Sequence, residues 1–131
     1  MQGIKKMNEN KKTAVAYIRT ATIEQNHING GESAIRQMNA MKDKAKKQNT
    51  QIIADFADLG VPRANKVRPG YNEMLDYLAR NKVDSVYMTR MDRLSIIPEE
   101  AIDMVQPIED TGAQLVFTDE DRALIKEAFK V

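Results

Sequence analysis

Short apolar runs along this chain alternate with stretches where apolar positions recur every third or fourth residue. The first run, Thr13–Ile18 (TAVAYI), fits a buried strand. From Ser33 the period changes. Ile35, Met38, Met41 and Ala45 form a helical stripe, Lys42, Lys44, Lys46 and Lys47 lie outside it, and Glu32 and Ser33 stand at its start. Gln51–Phe56 is a second strand. Residues 57–70, rich in Gly, Pro, Arg and Lys, read as a mobile loop. Tyr71, Met74, Leu75 and Leu78 predict a second helix, and Ser85–Thr89 a third strand. Pro98 opens a third helix, capped from Ile97 or Ser95, with Ala101, Ile102, Val105 and Ile108 inward. Pro107 predicts a kink in it or an early end. Gln114–Thr118 is a fourth strand. Residues 119–130 predict a last helix, started by Thr118, Asp119, Glu120 and Asp121, with Leu124, Ile125 and Phe129 buried. The polar, lysine-rich residues 1–12 read as a flexible basic arm.

This β-α-β-α-β-α-β-α order predicts an α/β fold. The expectation is three layers: a doubly wound, mostly parallel sheet of four to five strands with helices on both faces. Sites in such sheets lie beyond the carboxyl ends of the strands, here at Arg19–Thr22, Ala57–Leu59, Arg90–Arg93 and Asp119–Glu120.

At 131 residues, 42% apolar and 30% charged, the chain has room for one core. Without cysteine it has no disulfide, thiolate metal site or cysteine nucleophile. A single histidine, His27, builds no polyhistidine site and reads as a solvated loop residue. No metal and no cofactor are expected. No apolar run reaches the roughly 18 residues of a membrane span, and the N-terminal residues lack the apolar core of a secretory signal. No membrane association and a cytoplasmic location are the expectation. Residues 1–93 carry 17 Lys/Arg against 10 Asp/Glu, and residues 94–131 carry 3 against 9. A polyanion contact therefore belongs to the first two thirds of the chain.

Arg19, Arg68, Arg90 and Arg93 gather where the fold puts its site. Guanidinium groups carry permanent charge and a fork matched to phosphate oxygens, so they fit a phosphodiester clamp. They equally fit surface ion pairs with Asp58 and Asp92. There is no G-x-G-x-x-G and no Walker loop, and Gly30-Gly31 reads as a turn.

Four segments, YIRTATIEQ (17–25), ADFADLG (54–60), VRPGYNEML (67–75) and VYMTRMDRLS (86–95), resemble the catalytic domain of the serine recombinases, the resolvase/invertase family. The resemblance runs from about residue 13 to about residue 120, with the blocks in the family's order. It implies a serine after strand one that attacks a DNA phosphodiester and forms a phosphoserine link, with arginines stabilising the charge on the phosphorus oxygens and no metal or cofactor. It assigns site roles to Arg19, Arg68, Arg93, Asp92, Gln25 and Asp58. It also implies DNA, through its phosphate backbone, and a second copy or a partner recombinase as partners.

Two positions depart from that pattern. The family reads Tyr-x-Arg-x-Ser, whereas this chain has Tyr17-Ile18-Arg19-Thr20-Ala21, so the nucleophile position is alanine. The family continues Arg-Leu-Ser-Arg, whereas Arg93-Leu94-Ser95 is followed by Ile96. Loss of a nucleophile costs about 10⁶-fold in rate, and loss of the clamping arginine about 10²–10³-fold. Thr20 and Thr22 carry hydroxyls, but a one-residue shift in an extended segment turns a side chain to the opposite face. The expectation is a catalytically inactive domain. The alternative is an active recombinase domain carrying an altered nucleophile or met as a truncated form. The acidic final segment stops at Val131, so a shortened last helix with no DNA-binding domain after it is expected.

Overall fold

A computed structural model describes residues 11–20, 33–60, 67–95 and 97–119. Strand β1 (Lys12–Arg19) is followed by helix α1 (Ala34–Lys47), β2 (Thr50–Asp58), α2 (Pro69–Arg80), β3 (Ser85–Met88), a 3-10 turn at Met91–Arg93, α3 (Pro98–Asp110) and β4 (Gln114–Phe117). The strands form one all-parallel sheet in the order β2-β1-β3-β4. This is the expected doubly wound arrangement with four strands. Gln25, Ala21 and Ile96, the 1–10 part of the arm, and the last helix beyond Asp119 lie outside the described residues.

Alternation along the strands sorts side chains into two cores. Ala14, Ala16 and Ile18 of β1 and Tyr87 of β3 pack with Met41 and Ala45 of α1. Val15 and Tyr17 of β1, Val86 and Met88 of β3, and Leu115 and Phe117 of β4 pack on the other face with Tyr71, Met74 and Leu78 of α2 and Ile108 of α3. Strand β2 changes phase midway. Ala14 pairs with Ile52 but Val15 pairs with Ala54, leaving Ile53 as an extra residue in a bulge. Ile52 therefore packs on the α1 side, and Ala54 and Phe56 on the α2 side.

Several expectations need correction. Lys12 belongs to β1 rather than to an arm, and Ala57 and Asp58 finish β2 rather than beginning a loop. Pro69 and Gly70 already lie in α2. Thr89 and Thr118 fall just past β3 and β4. Ile35 is 73% exposed, and the buried positions of α1 are Gln37, Met41 and Ala45. Ile102 of α3 is 41% exposed. Pro107 does not end α3 early; the helix reaches Asp110. Proline there frees the Asp103 carbonyl, and Asp103 is exposed, so water can take the bond. Ser33 caps α1, its hydroxyl accepting from the Arg36 N–H at 3.1 Å.

Candidate functional site

The chain moves outward from β1 to β2 in one direction and from β3 to β4 in the other, so the topological switch lies between β1 and β3. These two strands pair only at Ala14–Ala16, so they part before their carboxyl ends, where folds of this kind place a site cleft. Arg19, on the same strand face as Tyr17, enters it and is 1% exposed. Its Nε donates to the Arg93 carbonyl at 3.1 Å, and Nη2 to the Asp92 carbonyl at 3.4 Å. Arg68, 3% exposed, donates from Nη1 to the same Arg93 carbonyl at 2.9 Å. Arg93 answers from Nη1 to the Arg19 carbonyl at 3.1 Å.

Three guanidiniums are thus bound to one another's main chain. Asp92 pairs with Arg90 at 3.5 Å and Arg93 at 3.7 Å, bringing a carboxylate to the group. Burial, and then the charges of Arg68 and Arg93, pull the Arg19 pKa down to about 10. Such a site favours an anion, whose charge offsets both the desolvation and the mutual repulsion.

The ion-pair reading of these arginines holds for Asp92 but fails for Asp58, which is not a surface group. Asp58 is 3% exposed. Its Oδ1 accepts from the Gly70 N–H at 2.7 Å, and Oδ2 from the Tyr71 N–H at 3.0 Å and the Tyr17 hydroxyl at 2.7 Å. Helix α2 begins after Arg68, whose own side chain does not cap it. Asp58 performs that duty from the neighbouring strand, satisfying the N–H groups of the second and third residues of the helix. The approach is close: a Cβ on Gly70 would overlap the Ala57 carbonyl oxygen and stand 2.7 Å from its carbon. Asp58 therefore fixes the end of the helix that carries Arg68. Burial and the Asp58 hydrogen bond raise the Tyr17 pKa, while Arg68 opposes them. Burial pushes Tyr71 up to about 12; its hydroxyl donates to the Met104 carbonyl at 2.6 Å.

Thr20 is 5% exposed, and its hydroxyl oxygen accepts from the Gly60 N–H at 3.3 Å. Beside Arg68 a cavity of about 260 Å³ opens between α2 and α3, lined by Tyr71, Leu94 and Met104 with Glu100 and Asp103 among its polar residues. Glu100 accepts from the Ser95 hydroxyl at 3.2 Å. Among the described residues no group of three His, Cys, Asp or Glu is placed to hold a metal, and no helix is long and apolar enough to cross a membrane.

The sequence reading missed one residue of this region. Gln37 of α1 is fully buried, and its amide bonds both main-chain groups of Arg19. A polar residue on the inner stripe of a helix was the available signal, and the apolar residues around it masked it.

Comparison with known proteins agrees with this geometry. The family described as "Resolvase, N terminal domain" matches residues 14–129. The N-terminal catalytic domain of TP901-1 integrase superposes with a TM-score of 0.74 at 20% identity, covering 82% of this chain and 79% of that one. A resolvase family site-specific recombinase from Streptococcus pneumoniae gives 0.68 at 20% identity, covering 89% and 83%. The C-terminal catalytic domain of ISC1926 TnpA, an IS607-like serine recombinase, gives 0.64 at 20% identity, covering 88% and 77%. No match was found among curated proteins. With the four-stranded parallel sheet, the switch-point arginines and a family match over nearly the whole chain, this protein belongs to the resolvase family of serine recombinases, in its N-terminal domain.

Proposed function

We propose that this chain is a recombinase-type domain that keeps the family's phosphate-binding arginines and has lost strand cleavage, so that it acts in or regulates site-specific DNA recombination through DNA or protein contacts. The observation that carries the reading is the convergence of Arg19, Arg68 and Arg93 beyond the carboxyl ends of β1 and β3, with the Arg19 pKa lowered by burial and then by its cationic neighbours. A DNA phosphodiester matches the charge and fork geometry of these guanidiniums. Arg19 and Arg68 are already oriented by the Arg93 carbonyl, so little rotamer freedom is lost on binding. At the nucleophile position Ala21 offers no oxygen. Thr20 is a poor substitute, because its hydroxyl is buried and engaged with Gly60. In this reading Asp92 orients Arg93, Asp58 holds α2, Gln25 is the glutamine of the family's first motif, and Ile96 removes a fourth cation. The partners are the DNA backbone and a second copy or an active relative, in the cytoplasm.

The test is intact mass after incubation with a short DNA carrying a trapped cleavage site, for the natural chain and for Ala21→Ser/Ile96→Arg shown to dimerise. An adduct only after repair supports an inactive copy of a working site. An adduct with the natural chain establishes the alternative, an active recombinase domain with another nucleophile. Independently, removing Arg68 and Arg93 together is expected to abolish sulfate and short-DNA binding; unchanged affinity would discard the phosphate site.

A further inference from the structure

We propose that Gln37 is the positioning residue for Arg19, and that through Arg19 it sets the anion affinity of the cleft; this second half rests on the phosphate-binding reading above. Gln37 lies one turn into α1 and is 0% exposed. A buried amide must satisfy both its donor and its acceptor end. Its Oε1 accepts from the Arg19 N–H at 3.4 Å, and Nε2 donates to the Arg19 carbonyl at 3.0 Å. Those are the two main-chain groups that an adjoining strand would bond.

The topology explains why a side chain makes them. On one edge β1 is paired with β2 as far as Arg19 and Asp58, and the Thr20 N–H continues onto the Asp58 carbonyl at 3.1 Å. On the other edge β3 pairs with β1 only at Ala14–Ala16. Main-chain groups point to alternate edges along a strand, so those of Arg19 face the side where β3 has moved away. Gln37 takes the place of the missing strand residue. It comes from the α1 face, leaving the Arg19 side chain free to project from the opposite face into the cleft.

The same carbonyl also accepts Arg93 Nη1 at 3.1 Å, so Gln37 and Arg93 share its two lone pairs. The pull of Gln37 therefore bears on two of the three guanidiniums. Without it, the end of β1 loses its substitute for the β3 edge and rests on its β2 pairing and its bonds with Asp92 and Arg93. A shift of about 1 Å in a charged group is enough to weaken recognition of a tetrahedral anion strongly.

The experiment uses the full chain, its Arg Nε–Hε signals in ¹⁵N spectra, and sulfate titration at low ionic strength. The Arg19 signal is assigned by its loss in Arg19→Lys. In folded Gln37→Leu we expect that signal to move to the exposed-arginine position and exchange with water more than about tenfold faster, with sulfate affinity down roughly 10- to 100-fold. Gln37→Glu supplies a second reading if the leucine variant fails to fold. Its ionised carboxylate keeps the acceptor but repels the Arg19 carbonyl, whereas the protonated acid regains a donor. Between about pH 8 and about pH 5 its Arg19 signal should return toward the natural position, a dependence that packing alone would not give. An unmoved Arg19 signal in folded Gln37→Leu, or a pH-independent displaced signal in Gln37→Glu, overturns the positioning role. A displaced signal with unchanged sulfate affinity overturns the link to binding. Absence of sulfate affinity in the natural chain counts against the phosphate reading alone, because the Arg19 signal still decides what Gln37 holds.

Discussion

Replacing Asp58 tests whether α2 is capped from a neighbouring strand. Its carboxylate accepts three hydrogen bonds at 2.7–3.0 Å in a site 3% exposed. Asp58→Ala leaves two helix N–H groups and the Tyr17 hydroxyl without that acceptor. Loss of a cap costs about 0.5–2 kcal/mol, and each buried polar group left unsatisfied about 1–3 kcal/mol. These contributions overlap, because the cap is two of the three bonds. A total of about 3–5 kcal/mol is expected, a large share of the 5–15 kcal/mol typical of a domain. For a chain of this size it lowers Tm by about 10–20 °C. Asp58→Asn preserves the shape and one acceptor but turns an NH₂ toward a donor, for about 2–3 kcal/mol. Urea unfolding followed by circular dichroism gives both values, and amide exchange at Gly70 and Tyr71 localises the loss. If Asp58→Asn unfolds within 0.5 kcal/mol of the natural chain, the carboxylate cap is wrong.

Gly70→Ala must push α2 away from the Ala57 carbonyl and is expected to cost about 1–3 kcal/mol; a stability gain in urea would contradict the close approach. Met74→Ala, at a fully buried position, should cost about 2–5 kcal/mol in the same measurement. At high pH the signs oppose. Tyr17 and Tyr71 keep their protons in the folded chain above pH 10, where the unfolded chain loses them, so stability falls as pH rises from 10 toward 12. Arg19 loses its proton earlier in the folded chain, so its contribution rises over the same window. Urea midpoints across that window should fall as pH rises, and Tyr71→Phe should reduce the fall.

Much of the architecture was readable from periodicity because β1, β3, β4 and the three helices carry apolar runs or stripes that are buried. Ile35 and Gln37 show where that logic stops. Hydrophobicity put Ile35 inward, but hydrogen bonding to Arg19 draws Gln37 in instead and leaves Ile35 in solvent. The bulge at Ile53 was hidden for a related reason. QIIADF contains apolar residues in both phases, so no alternation marks the extra one. At the site, the arginines announced themselves by charge and place after the strands. Asp58 looked like a surface ion-pair partner because its role depends on a helix beginning eleven residues later, a contact that spacing does not display.

The Ile53 bulge gives β2 something like a reading frame. Up to Ile52 the strand presents one parity to α1, and from Ala54 onward the opposite parity, ending with Asp58 beneath α2. Deleting one residue from this stretch would leave nearly all side chains chemically intact yet turn Asp58 toward the wrong layer. Changing Ile53 itself, 39% exposed, would leave the frame undisturbed. At this strand the site depends on a count of residues more than on the identity of the residue that sets the count. A sequence differing at many β2 positions could keep the helix cap, while one differing by a single gap would lose it.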